Sequence, residues 1–489
     1  CDNKSHWRNA AIIAKPPAKS YKLAVNGRGP PGTIGFVAHC SLLGALHMEN
    51  RRHLDHKIWG IAWPAILSNI SIPLLGLVDA AILGHLGSTH YLGAVAIGGA
   101  VLSFLYWGFS FLRMGTTGLV AKANGAGEFE EATLVLAQSA VLALLIAAGV
   151  IVSHPFWLAI GFTLMSPQPE LAPLAESYAS IRVYSAPAVL LTYTIVGWFI
   201  GNQNTRWPMV IMITTNVLNI GLDFLFIMGL GLKSDGAAYA TLLAEYLGCM
   251  LALAVVWRCL PKPSSADFLR RLRAPEAYRR LLRSNRHLFL RTVALLFSFA
   301  FFTAMGDKLG PDTLAANALM LQLLILTAYG LDGFAYAAEG LTGNALGARD
   351  LNAFHAAVRR CAWWSGALAV ALSLFFLLAN SPLYQLLTDI PAVRQIMHQH
   401  TAWLVALPLI AAASYLLDGV FIGSAETRYM MTTMLFSTLC VYLPLWYVTR
   451  GWCNHGLWFA FTAFNAARGI SLYYYFSRLN RTGSWLEAD

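Results

Sequence analysis

From Ile58 to Gly84 the chain runs twenty-seven residues with one formal charge, Asp79. A helix of about 20 apolar residues is long enough to cross the hydrocarbon of a bilayer. Lipid offers backbone groups no hydrogen bonds, so a stretch of this kind must be helical. Eleven more follow, and the twelve spans are predicted at 58–84, 91–116, 133–161, 178–201, 207–230, 236–257, 287–306, 314–340, 357–379, 396–423, 430–449 and 455–477. The expected fold is all-α and integral to the membrane. Composition agrees, since only 12% of residues are charged where soluble domains carry about 25%.

The net charge of +10 does not point to nucleic acid, because the basic residues lie in short connections between spans. One side of the membrane receives Arg51, Arg52, Lys57, Lys122, Arg206, the loop from Arg258 to Arg291, Arg349, Arg359, Arg360, Arg428, Arg478 and Arg481. The other receives Lys233, Lys308, Arg394 and Arg450. The positive-inside rule then places both termini and the middle loop in the cytoplasm. The seven cysteines show no CxxC and no pairing with histidine, so neither a disulfide framework nor a metal site is expected. Residues 1–47 are basic, contain Pro and Gly, and lack the apolar core of a signal peptide. They read as a disordered or non-native extension, with Met48 as the natural start.

The loop from Arg258 to Arg291 holds nine Arg and one Lys and separates two sets of six spans. The lobes are expected at 48–257 and 287–489, joined by a basic loop at 258–286. They are related at an offset of 222 residues. Gly197, Gly201, Thr205 and Arg206 match Gly419, Gly423, Thr427 and Arg428. Gly118, Leu119, Ala123, Gly125 and Ala126 match Gly340, Leu341, Ala345, Gly347 and Ala348. Six spans per half leave both halves in one orientation, which predicts two parallel-related six-helix bundles around a central cavity. That is a transporter plan.

Asn219 and Asp223 stand four residues apart on one helix face, with Asn216 nearby. A carboxylate at membrane depth is costly and normally belongs to a cavity or an ion pathway. Were a second acid to face Asp223, the two could not both ionise cheaply, which suits uptake and release of a proton. The plainer alternative is that these groups hold helices together.

Several motifs in order carry a resemblance: Pro73-Leu-Leu-Gly-Leu-Val-Asp79 with Leu83-Gly84-His85-Leu86, then Phe111-Leu-Arg-Met-Gly-Thr-Thr-Gly-Leu119, Leu331-Asp-Gly-Phe-Ala-Tyr-Ala-Ala-Glu339 and Leu417-Asp-Gly-Val-Phe-Ile-Gly423. With them the chain resembles the multidrug and toxic compound extrusion (MATE) family, in its DinF-like branch, from about Glu49 to Trp485. The resemblance implies a cation-coupled efflux antiporter of the bacterial cytoplasmic membrane, not an enzyme, working by alternating access. It implies a coupling cluster of Asp79, Asn219, Asp223 and Thr241. That Asp79 meets Asn219 and Asp223, and that Thr241 joins them, rests on the resemblance. No cofactor is expected beyond the coupling ion, which is a proton in this reading, with sodium as the alternative. A lipid-linked oligosaccharide flippase of the wider superfamily is the other alternative. The expected partners are amphipathic or cationic organic compounds and membrane lipid, with the protein a monomer.

Asp332, Glu339 and Asp418 also lie within apolar spans, and Asp332 and Glu339 share a face two turns apart. They are candidates for cation or substrate binding, together with Arg113 and Tyr336. Each acid has the alternative of capping, or of pairing with Arg428, Lys308 or Arg349. Arg113 is open between pairing with Asp79 or another buried acid and extending towards water. Pro187 and Pro408 fall in corresponding spans, as hinges or as fixed kinks.

Overall fold

The computed structural model describes residues 34–84, 89–165, 167–260 and 265–486. Residues 1–33 of the N-terminal extension and His85–Leu86 of the first motif lie outside them. The chain divides into two compact units, Cys1–Arg52 and His53–Asp489. In the first, helix is described from Ile34 onward, in an element that runs to Gly84.

Among the described residues every regular element is helical, as lipid requires. Eleven stretches are long and apolar enough to span a membrane. They are Arg52–Gly84 (span 1), His90–Gly125 (span 2), Phe129–Met165 (span 3), Ala172–Gly201 (span 4), Arg206–Gly229 (span 5), Lys233–Cys259 (span 6), Tyr278–Asp307 (span 7), Pro311–Gly347 (span 8), Leu351–Leu387 (span 9), Pro391–Gly423 (span 10) and Thr427–Thr482. The last is two crossings. It is interrupted by a tight turn at Arg450–Trp452 and by Cys453 at φ 52°. Tyr442 packs on Phe464 at 5.5 Å and Tyr429 on Tyr475 at 4.7 Å, so the two arms run antiparallel. We call Thr427–Thr449 span 11 and Cys453–Thr482 span 12.

Several spans are broken where the sequence forces it. In span 4 the helix Ala172–Arg182 gives way to a short 3₁₀ turn before Ala186–Gly201. Pro187, at the start of the second piece, has no N–H to continue the ladder. Pro408 lies inside the unbroken helix of span 10. Span 2 breaks after Gly108 and restarts at Phe111, which puts Arg113 in the first turn of the new helix. Span 5 leaves α-helical geometry right after Asp223, in a π-helical stretch from Phe224 to Gly229.

The offset of 222 residues also governs the backbone. Three corners in left-handed conformation recur at it: Gly127 and Arg349, Gln203 and Ala425, Gly231 and Cys453. Close contacts between the lobes recur too. A Cβ on Gly118 would stand 2.1 Å from the Ile422 carbonyl oxygen, and one on Gly340 would stand 2.9 Å from that of Ile200. A Cβ on Gly125 would meet the Asn344 carbonyl at 2.0 Å, and one on Gly347 that of Lys122 at 2.1 Å. Asn124 Nδ2 donates to Asn344 Oδ1 at 2.8 Å, and Asn344 Nδ2 to the Gly201 carbonyl at 3.0 Å. The lobes are therefore pressed backbone to backbone at the end that carries Lys122, Arg206, Arg349 and Arg428. Farther along the spans Arg113, Tyr193, Asp332 and Tyr336 lie between the lobes yet keep partial exposure, which describes a cleft sealed at this basic end.

Arg291 departs from the expected pattern. It was counted with the basic middle loop, but span 7 begins at Tyr278, so Arg291 lies three turns inside a helix and is 6% exposed.

Candidate functional site

In the N-terminal lobe the part of span 1 near Gly84 seats Val78, Ile82 and Leu83 against Tyr178, Ile227 and Ala237 of spans 4, 5 and 6. Two turns earlier Asn216 Nδ2 donates to Ser71 Oγ at 2.9 Å, pinning span 5 to span 1. That apolar seat and that polar pin point Asp79 at Asp223, and the two carboxyl groups face each other within hydrogen-bonding range. Asp223 is fully buried. Asn219, on the same face, completes the contact: with its amide turned so that Nδ2 meets Asp223 Oδ2 at 3.2 Å, its oxygen accepts from Thr241 Oγ1 at 3.0 Å and from the Thr241 N–H at 3.1 Å. The structure thus brings Asp79, Asn219, Asp223 and Thr241 together. Arg182 lends its positive field to both acids while paired with Glu245 at 3.0 Å. Tyr106 Oη donates to the Arg182 carbonyl at 2.9 Å, which holds span 4 at its break.

Between the lobes, Arg113 of span 2 reaches span 8. Its Nη1 lies 2.9 Å from Glu339 Oε2 and its Nη2 3.5 Å from Glu339 Oε1. Its guanidinium carbon sits 4.5 Å over the Tyr336 ring. The partner of Arg113 is therefore Glu339, not Asp79. The symmetry-related positions, Ala335 and Thr117, carry no charge, so this pair breaks the two-fold relation of the halves. Asp332 lies one turn from Tyr336 and two from Glu339. It is half-buried and, among the described residues, forms no ion pair or hydrogen bond, and the charges of Arg113, Glu339, Arg291 and Asp418 lie around it.

Asp418 is held differently. Its Oδ2 accepts from Arg291 Nη2 of span 7 and, at 2.9 Å, from Arg468 Nη2 of span 12. Arg468 Nη1 reaches Asn465 Oδ1 at 3.3 Å. The partners weighed for Asp418 and Glu339 in the sequence, Arg428, Lys308 and Arg349, are used by neither. Arg468 was missed there, although a lone charge within an apolar stretch is the same signal that marks Asp79. Among the described residues no three His, Cys, Asp or Glu side chains group so as to hold a metal ion.

Comparisons with known proteins agree with this architecture. The MatE family model matches residues 64–225 and 288–448, one block in each lobe. DNA damage-inducible protein F of Escherichia coli (strain K12) is 38% identical over 439 residues, covering 89% of this chain and 94% of its own length. Human multidrug and toxin extrusion protein 1 is 25% identical over 332 residues, 66% of this chain and 56% of its own. A crystal structure of MATE in complex with MaD5 shares the fold with a TM-score of 0.78 at 21% identity, over 87% of this chain and 96% of that one. Twelve helical crossings in two related halves, with a family match in each half, establish that this chain is a multi-pass membrane protein of the MATE family of transporters.

Proposed function

We propose that the chain is a proton-coupled antiporter that expels cationic or amphipathic organic compounds by alternating access, from a bacterial cytoplasmic membrane with its basic end in the cytoplasm. The observation that carries this reading is the contact between Asp79 and Asp223. An ionised carboxylate only accepts hydrogen bonds, so two carboxyl groups in contact attract each other only when a proton lies between them. Asn219 and Thr241 fix the geometry of that pair, and Arg182, itself paired with Glu245, lies close enough to act on both acids. A pair poised in this way can load on one side of the membrane and unload on the other. Uptake of a proton relaxes the repulsion between span 1 and span 5, and its loss restores it, so the occupied and empty states favour different positions of span 1.

The glycine contacts at the basic end support a state closed on that side, and an antiporter closed to the cytoplasm takes up its proton from outside. The name of the human relative, multidrug and toxin extrusion protein 1, favours export of organic compounds. The test is efflux of an organic cation from proteoliposomes driven by a pH gradient, with sodium absent, for wild type, Asp79→Asn and Asp223→Asn. The expected result is gradient-driven efflux in wild type and none in either variant. Efflux that persists in both removes the cluster from the coupling step, and a strict need for sodium replaces the proton with that ion.

A further inference from the structure

Arg113 has the environment that an organic cation would require. Its guanidinium lies on the face of the Tyr336 ring at 4.5 Å and in a two-point contact with the Glu339 carboxylate at 2.9 and 3.5 Å. A carboxylate beside an aromatic face recognises a delocalised cation through charge and ring quadrupole together, and desolvation strengthens both. The Glu339 side chain is 2% exposed and that of Arg113 11%, so the pocket is filled by the protein itself. Asp332 stands one turn from Tyr336 on the same helix face, half-buried and, among the described residues, unpaired. Glu339 and Tyr336 belong to the C-terminal lobe, whereas Arg113 comes from the N-terminal lobe. The occupant and the pocket therefore separate when the lobes move.

We propose that Arg113 is a tethered occupant of an organic-cation site made by Glu339 and Tyr336, with Asp332 at its mouth, and that a cationic substrate binds by displacing the guanidinium. The proposal rests on the reading of the chain as an exporter of organic cations and names the site at which one is held. Displacement removes an ion pair that ties span 2 to span 8 next to the glycine contact at Gly340. Substrate binding therefore loosens the seal at the basic end. A tethered competitor lowers apparent affinity by the fraction of time the site is free. It also discriminates, because only a cation that outcompetes a guanidinium at both partners enters.

The test is equilibrium binding of tetraphenylphosphonium to the purified full-length protein in detergent, at alkaline pH so that protons do not compete. Arg113→Gln leaves an amide to hydrogen-bond Glu339 but no charge, and is expected to tighten binding on the order of ten-fold. Arg113→Lys, which keeps a charge but not the planar two-point contact, should fall between Arg113→Gln and wild type. Adding Glu339→Gln to Arg113→Gln should abolish the gain. Unchanged or weaker binding in both single variants, with thermal unfolding like that of wild type, overturns the site. Should Arg113→Gln unfold, the Arg113→Lys result alone decides. Gradient-driven efflux of tetraphenylphosphonium by wild type, without tighter binding in the variants, discards this site and leaves the proposed function standing. A wild type that neither binds nor transports any organic cation discards both.

Discussion

Asp79 of span 1 and Asp223 of span 5 face each other carboxyl to carboxyl, with Asn219 set against the second acid at 3.2 Å. Neither residue gains from this contact unless a proton is shared, so the pair works as a unit. The amide of Asn219 is expected to set its geometry rather than its charge. Asn219→Ala removes one hydrogen bond to a charged acceptor, which is worth roughly 1.5–3 kcal/mol. Transport should fall by about one to two orders of magnitude while both acids remain. The measurement is initial efflux rate against external pH. A profile displaced along the pH axis marks an effect on the acids, and one scaled down without displacement marks loss of packing alone.

Asp418 and Asp332 are expected to behave oppositely on removal. Asp418 neutralises two buried guanidiniums from different spans, so Asp418→Ala strands both. Breaking a buried pair in this way costs about 3–5 kcal/mol. Thermal unfolding in detergent should show a large loss of stability, with expression falling in step. Asp332 has no partner to strand among the described residues, and Asp332→Asn should unfold within about 0.5 kcal/mol of wild type, with efflux of organic cations reduced. An equal stability loss in the two variants would refute the distinction.

The seal at the basic end makes a steric prediction. Gly118→Val and Gly347→Val push a side chain into a carbonyl at distances where no Cβ fits. Both should stop transport, and cysteines placed near Lys122 should become more reactive towards a soluble maleimide added on that side. Gly76→Ala is the control, since nothing lies within 4 Å of its added carbon. Alanine favours helix over glycine by roughly 0.5–1 kcal/mol, so that variant should be neutral or slightly more stable.

Asn317, Asn454 and Trp458 form a closed polar knot in the C-terminal lobe. Asn317 Nδ2 donates to Asn454 Oδ1 at 2.8 Å, Asn454 Nδ2 to Asn317 Oδ1 at 3.0 Å, and Trp458 Nε1 to Asn317 Oδ1 at 2.8 Å. It joins spans 8 and 12 near the start of span 8, whereas Glu339 lies near that helix's end. Asn317→Ala leaves two buried donors unsatisfied and should lower stability by about 1–3 kcal/mol without changing which compounds are exported. A changed substrate range at unchanged stability would contradict this.

The spans could be read from the chain because lipid leaves the backbone one choice, and twelve apolar stretches suffice to count them. The relation of the halves was equally open, since glycines at one offset need no knowledge of packing. Partners across the lobes were not. Glu339 and Arg113 are 226 residues apart, and nothing local to either names the other. Arg291 was misplaced because span 7 begins well before its apolar part, so an arginine beside a basic loop was taken as part of it. The two guanidiniums that hold Asp418 are 127 and 50 residues away, so the pairing weighed for it in the sequence fell on Arg428, Lys308 and Arg349 instead. The facing of Asp79 and Asp223 came from a family likeness and depends on the apolar seat of Val78, Ile82 and Leu83 on the N-terminal lobe.

The glycine contacts at the basic end have the form of an isologous interface. Gly118 meets Ile422 and Gly340 meets Ile200, Gly125 meets Asn344 and Gly347 meets Lys122. Each contact made by one half is returned by the other, as in a two-fold dimer. The two lobes close on each other as two copies of one half-length protein would, with the basic loop serving as the tether between protomers. What distinguishes the halves is laid over that shared frame. Arg113 stands where its twin has Ala335, and Glu339 where its twin has Thr117. Duplication kept the clasp symmetric and left the cargo chemistry free to diverge on one side of it.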